Sequence, residues 1–134
     1  MWCYVQGSGS LYQYKNGSPA VKVATGYSGS GDGLNNPDLQ EVKEIGPIPV
    51  GDYVIEAPVN TDTHGPFVLH LTPGPKNVMF DRSGFLIHGD SKAHPGDHIA
   101  SKGCIILPRF IREKIWDSGD HTLKVIRIYN VQST

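Results

Sequence analysis

The chain has 134 residues, the size of one compact domain, and leaves no room for two. Thirteen acidic residues against 12 basic ones give a net charge of −1, and no run of Lys or Arg makes a phosphate-binding stripe, so nucleic acid is excluded as an expected partner. The longest apolar run, residues 104–107, is too short to cross a bilayer, so no membrane insertion is expected.

Met1, Trp2, Cys3 and Tyr4 carry no basic segment leading into an apolar run and a cleavage site, and the expectation is a soluble protein without a standard signal peptide. The two cysteines, Cys3 and Cys104, do not form the pattern of a disulfide framework. Composition alone leaves open two buried structural thiols or one chemical thiol.

With 16 glycines and 10 prolines scattered along it, the chain favours short strands joined by turns, predicting a mainly β domain. The stretch 26–40, GYSGSGDGLNNPDLQ, is glycine-rich and poor in apolar residues and reads as a long loop. Period-two alternation predicts strands over 52–57, 67–72, 85–88 and 122–129. The spacing over 108–117 predicts a helix: Pro108 suits its first turn, Ile111 and Ile115 share a face, and Gly119 lies just past the end.

Chemistry concentrates in residues 85–107, FLIHGDSKAHPGDHIASKGCIIL, where three histidines, two aspartates, two serines and a cysteine lie between two apolar runs. A strand ending at His88 and an apolar segment starting at Cys104 bring the two side chains together at the mouth of a sheet, although they are 16 positions apart. A free thiol is mostly protonated at neutral pH and needs an imidazole to become a strong nucleophile, a role His88 can fill. Gly103 lets the backbone turn sharply, the amide of Cys104 and one neighbouring amide are candidate oxyanion donors, and Ser101 is a plausible orienting hydroxyl.

The segments IHGDS at 87–91 and ASKGCI at 100–105 resemble the His-Gly and Ser-x-Gly-Cys signature of L,D-transpeptidase catalytic domains, and GPIPVGDYVI at 46–55 looks like the strand that precedes their catalytic half. The stretch GYSGSGDGLNNP at 26–37 further resembles a subgroup deployed as antibacterial type VI secretion effectors. This likeness implies a small sheet barrel or sandwich over 1–134 with one or two short helices and no cofactor. It also implies a cysteine L,D-transpeptidase or L,D-carboxypeptidase acting on peptidoglycan stem peptides.

On that reading Cys104 is the nucleophile and His88 the base, with Ser101 or a backbone carbonyl holding the imidazole. The Gly103 and Gly89 backbone serves the oxyanion and the turn, and Asp90, Ser91 and Lys102 contact substrate. Many family members have histidine before the Gly-Cys pair and arginine soon after it; here Lys102 and Ile106 stand there, and Lys102 or Arg109 is expected to supply the charge. The effector likeness also implies a cognate immunity protein, the secretion machinery, and delivery from the cytoplasm to a target cell's periplasm.

Two other readings compete. His88, His94, His98 and Cys104 are ligands of the kinds zinc accepts, although His94 and His98 sit in a Pro/Gly loop rather than on a helix. Trp2 with Tyr4, Tyr12, Tyr14, Tyr27 and Tyr53 offers a sugar-stacking surface for a noncatalytic wall-binding module, where ordinary packing is the plainer account. Asp62, His64 and His70 read as turn and strand-surface residues.

Overall fold

The computed structural model describes residues 1–15 and 20–129. Ten strands form one strongly curled sheet: β1 Trp2–Val5, β2 Ser10–Gln13, β3 Val21–Thr25, β4 Tyr27–Ser28, β5 Gly51–Ile55, β6 Val59–Thr61, β7 Gly65–Pro73, β8 Leu86–His88, β9 Ile105–Ile106 and β10 Thr122–Ile126. A single α-helix, α1, spans Arg109–Asp117. The mainly β expectation holds, and the sheet is a nearly closed barrel.

The spatial order is β3-β2-β1-β10-β5-β7-β8-β9-β4, with β6 paired to β7. Only β1/β10 and β8/β9 run parallel. The two ends of this path, β3 and β4, are separated along the chain by Gly26 alone, so the sheet must curl until its edges meet. Gly26 is the seam: its N–H donates to the Gly9 carbonyl at 2.8 Å, and a Cβ there would lie 2.1 Å from the Ile106 carbonyl oxygen. Any side chain larger than hydrogen pushes the seam open.

Inside, the register aligns one apolar row across the sheet. Trp2 and Tyr4 face Leu123 and Val125, Leu123 faces Tyr53, Ile55 faces Leu71, Leu69 faces Ile87, and Ile87 faces Ile105. All are buried in one core, which Ile111 and Ile115 of α1 join. The alternation read from 52–57, 67–72, 85–88 and 122–129 marks strands β5, β7, β8 and β10, with β10 ending at Ile126 rather than at 129. The helix begins at Arg109, Pro108 occupies the capping position in extended backbone, and Gly119 follows with φ +75°.

Six strands, β1, β2, β3, β4, β6 and β9, escaped the periodicity argument. Trp2–Val5 is buried at every position, so β1 shows no alternation, while β2 and β3 are short and partly exposed. The 26–40 stretch is an ordered connection that carries β4 and two 3-10 turns, Gly31–Gly33 and Pro37–Leu39.

Gly26→Ala is expected to lower unfolding stability by about 2–4 kcal/mol in urea titrations, because the added methyl meets backbone that cannot yield. Gly119→Ala, where a Cβ meets open space, should cost only about 1 kcal/mol for the left-handed backbone.

Candidate active site

The pleat of two paired strands sets the site. Ile87 and Ile105 are partners and point into the core, so Leu86, His88, Ile106 and the preceding Cys104 point to the opposite face. Cys104 continues the register opposite Leu86, one pleat from His88, which puts the two backbones roughly 8 Å apart on one face. The Cys104 thiol itself lies 3.9 Å from the Gly84 carbonyl oxygen.

His88 is buried at 4% exposure. Its Nδ1 donates to the Gly89 carbonyl at 2.8 Å, which puts the neutral ring's proton on Nδ1 and leaves Nε2 with the lone pair. Burial pushes His88 below its ordinary 6.5; the Gly89 carbonyl opposes this, His64 and Arg112 add to it, and Asp90 opposes weakly. Burial likewise raises the Cys104 thiol above its ordinary range, against a backbone hydrogen bond from Leu86 and the positive charge of Arg82. Both shifts favour uncharged forms. At rest the two groups are a thiol and a neutral imidazole.

Cys104 opens into a cavity of about 370 Å³ lined also by Lys43, Glu44, His64, Arg82 and Lys102. His88 opens into a neighbouring cavity of about 510 Å³ with Gly89, Asp90, Ser91 and Lys92. His64 is a wall of both, and its ring lies 4.6 Å from that of His88, tilted by 47°.

Several expected roles change. The buried Ser101 hydroxyl donates to the Cys104 carbonyl at 2.6 Å and accepts the amides of Gly29 and Gly103 at 2.9 and 3.0 Å. It therefore shapes the turn before Cys104 and does not orient His88, a task that falls to the Gly89 carbonyl. The same bond commits the Gly103 amide, which corrects its expected part as an oxyanion donor. Gly103 is required for another reason: its φ is +129°, and a Cβ would sit 2.5 Å from Arg82 Nη2 and 2.7 Å from the Phe85 ring. Gly89 has a similar restriction, with a Cβ 3.2 Å from Arg112 Nη1.

Asp90 is a loop anchor. Its carboxylate accepts the Tyr27 hydroxyl at 2.6 Å, the Ser91 amide at 2.8 Å and the Gly96 amide at 2.9 Å. Burial pushes its pKa up, but the Gly96, Tyr27 and Ser91 donors together outweigh that and hold the carboxyl below its usual range. Ser91 accepts the His94 amide at 3.1 Å and lines the His88 cavity. Lys102 lines the Cys104 cavity, whereas Arg109 pairs with Glu113 at 2.9 Å and stacks over Phe67, on neither cavity wall.

Two arginines went unread in the sequence, and His64 was read there as a turn residue. Arg82, in the turn between β7 and β8, donates to the carbonyls of Gln40, Gly46, Pro47 and Lys102. It clamps the 40–47 connection to the turn that carries Cys104. Arg112 donates to the carbonyls of Pro66, Phe67 and Leu107 and fixes α1 beneath His88. Neither carries a periodic signal, and His64 gives only a turn-like TDTHG.

The zinc set does not assemble: His94 lies 3.7 Å from Asp97, the His98 ring meets the edge of Tyr27, and among the described residues no three His, Cys, Asp or Glu side chains converge to hold a metal ion. The aromatic surface fails as well, because Trp2, Tyr4, Tyr27 and Tyr53 are buried and Tyr12 stacks on Tyr129.

A nearly closed β barrel with Cys104 and His88 at an adjoining pair of clefts is the class of domain the geometry defines. A model of the Tlde1 domain matches residues 22–131, and the chain belongs to the Tlde1-domain family, a family of type VI secretion effectors. The fold is similar to the solved structure of Bd1075 from Bdellovibrio bacteriovorus, with a TM-score of 0.55 and 15% identity over 94% of this chain. The chain covers 47% of that structure, about half its length. No curated protein matches. Among the described residues no helix is long and apolar enough to cross a membrane.

Ser101→Ala is expected to destabilise the fold, at about 1–3 kcal/mol for each buried amide it leaves unpartnered, without altering the His88 tautomer seen by NMR. Because the folded-state pKa of His88 lies below its unfolded value, its neutral form contributes stability above pH 6.5 that is lost as pH falls through the folded-state pKa. Urea titrations of His88→Gln at about pH 7.5 and 5 should accordingly show a smaller acid-induced loss than wild type.

Proposed function

We propose that the domain is a cysteine L,D-carboxypeptidase or L,D-transpeptidase that removes or exchanges the terminal D-amino acid of peptidoglycan stem peptides. The observation that carries this reading is the parallel β8/β9 register, which sets Cys104 and His88 on one face, one pleat apart, beside two clefts. Membership of a family of type VI secretion effectors supports an antibacterial role.

In the proposed reaction, Nε2 of His88 takes the proton of Cys104 Sγ as the sulfur attacks the carbonyl carbon of the scissile amide. The backbone amide of Cys104 is assigned to the oxyanion. The imidazolium then protonates the departing amine, the D-amino acid leaves, and a thioester remains on Sγ. His88 next takes a proton from water or from an acceptor amine, which attacks the thioester and returns the thiol. Lys102 is the cation assigned to the substrate carboxylate on the Cys104 side.

Delivery by a type VI secretion machine into the periplasm of a target cell, and protection of the producer by a cognate immunity protein, belong to the same proposal. Mass spectrometry of disaccharide-tetrapeptide incubated with wild-type protein, with and without added D-amino acid, should show loss or exchange of the terminal residue. Cys104→Ala and His88→Ala should each lower the rate by about 10⁴-fold or more while circular dichroism shows the fold kept, His88→Ala melting lower because its ring is buried. Stem trimming by a folded Cys104→Ala protein would sink the reading.

The rate should also rise with pH through an inflection below 6.5 as His88 loses its proton, since only the neutral ring accepts the thiol proton. An inflection above 7 would point to a preformed ion pair instead.

A further inference from the structure

His64 belongs to neither the sequence motif nor the proton transfers above, yet it occupies the boundary between the two clefts. It rides on the connection from β6 to β7, where Thr61 pairs with Gly65. Two contacts hold it there: its amide donates to Thr61 Oγ1 at 2.9 Å, and its Nδ1 lies 3.1 Å from Thr63 Oγ1. An exposed turn histidine with no task has no reason to be held this way against a buried ring.

His88, for its part, makes one side-chain hydrogen bond among the described residues, to Gly89. One bond at Nδ1 fixes the tautomer, and the tilt of the ring, which decides where Nε2 points, is left to the groups packed against it. Among the described residues the ring packed on it is that of His64, at 4.6 Å. We infer that His64 is a positioning residue that acts through His88, its ring holding the imidazole in the plane from which Nε2 reaches Cys104. This rests on the assignment of Cys104 and His88 as the reacting pair, and it does not depend on the substrate.

The prediction concerns ring contact rather than imidazole chemistry, so His64→Phe keeps the function and His64→Ala loses it. The readout is the rate at which iodoacetamide alkylates Cys104 at neutral pH, followed by mass spectrometry of the Cys104 peptide; Cys3 is buried and reports separately. Thermal melts of both variants establish that the fold is kept.

His64→Ala should slow alkylation by about tenfold, and His64→Phe should stay within about twofold of wild type. With stem peptide, the Ala variant should lose kcat with little change in KM. Alkylation of His64→Ala at the wild-type rate overturns the inference, and so does equal slowing in Ala and Phe, because the imidazole itself would then be needed. If the alkylation pattern holds but not even wild type trims stem peptides, the positioning role stands and the proposed substrate falls.

Discussion

Closure of the sheet at Gly26 is the constraint on which the site depends. With a single residue joining the two edge strands, β4 has nowhere to lie except beside β9. That contact delivers the Tyr27 hydroxyl to Asp90, and the Ser28 hydroxyl to a position where it donates to the Gly103 carbonyl at 2.8 Å and accepts the Ile48 amide at 2.9 Å. The turn before Cys104 is thus braced from an element nearly 80 residues upstream, about the distance that makes such contacts slow to form and costly in chain entropy.

Buried cations do the second part of the bracing. Removing a guanidinium from water is costly unless its donors are met, and both Arg82 and Arg112 meet theirs with backbone carbonyls rather than carboxylates. Each therefore ties loops together while keeping its charge. Placed near Cys104 and His88, these charges favour thiolate and disfavour imidazolium, but burial acts more strongly on both groups and leaves the pair neutral. A neutral pair waits for substrate before a proton moves, which suits a reaction in which the amide must already be in place when the thiolate forms.

The likeness in fold to Bd1075 at 15% identity follows from the same physics. A curled sheet of this kind asks of its core positions only apolar volume on alternate residues, and many sequences satisfy that. The narrower demands fall on a few places where backbone meets backbone, Gly26 at the seam and Gly103 beside Arg82 among them.

Alternation determined strands β5 and β10, whose two faces differ in burial, and it marked β7 and the fully buried β8 as well, while the capped spacing after Pro108 determined α1. The concentration of His, Asp and Cys between two apolar runs determined where to look for chemistry. Only the tertiary structure decided the rest. β1 is buried on both faces, so no period marks it, and no local pattern says that Ser101 spends its hydroxyl on the turn or that Asp90 anchors a loop. Arg82, Arg112 and His64 reach the site from other elements, across contacts that exist only once the sheet has closed on itself.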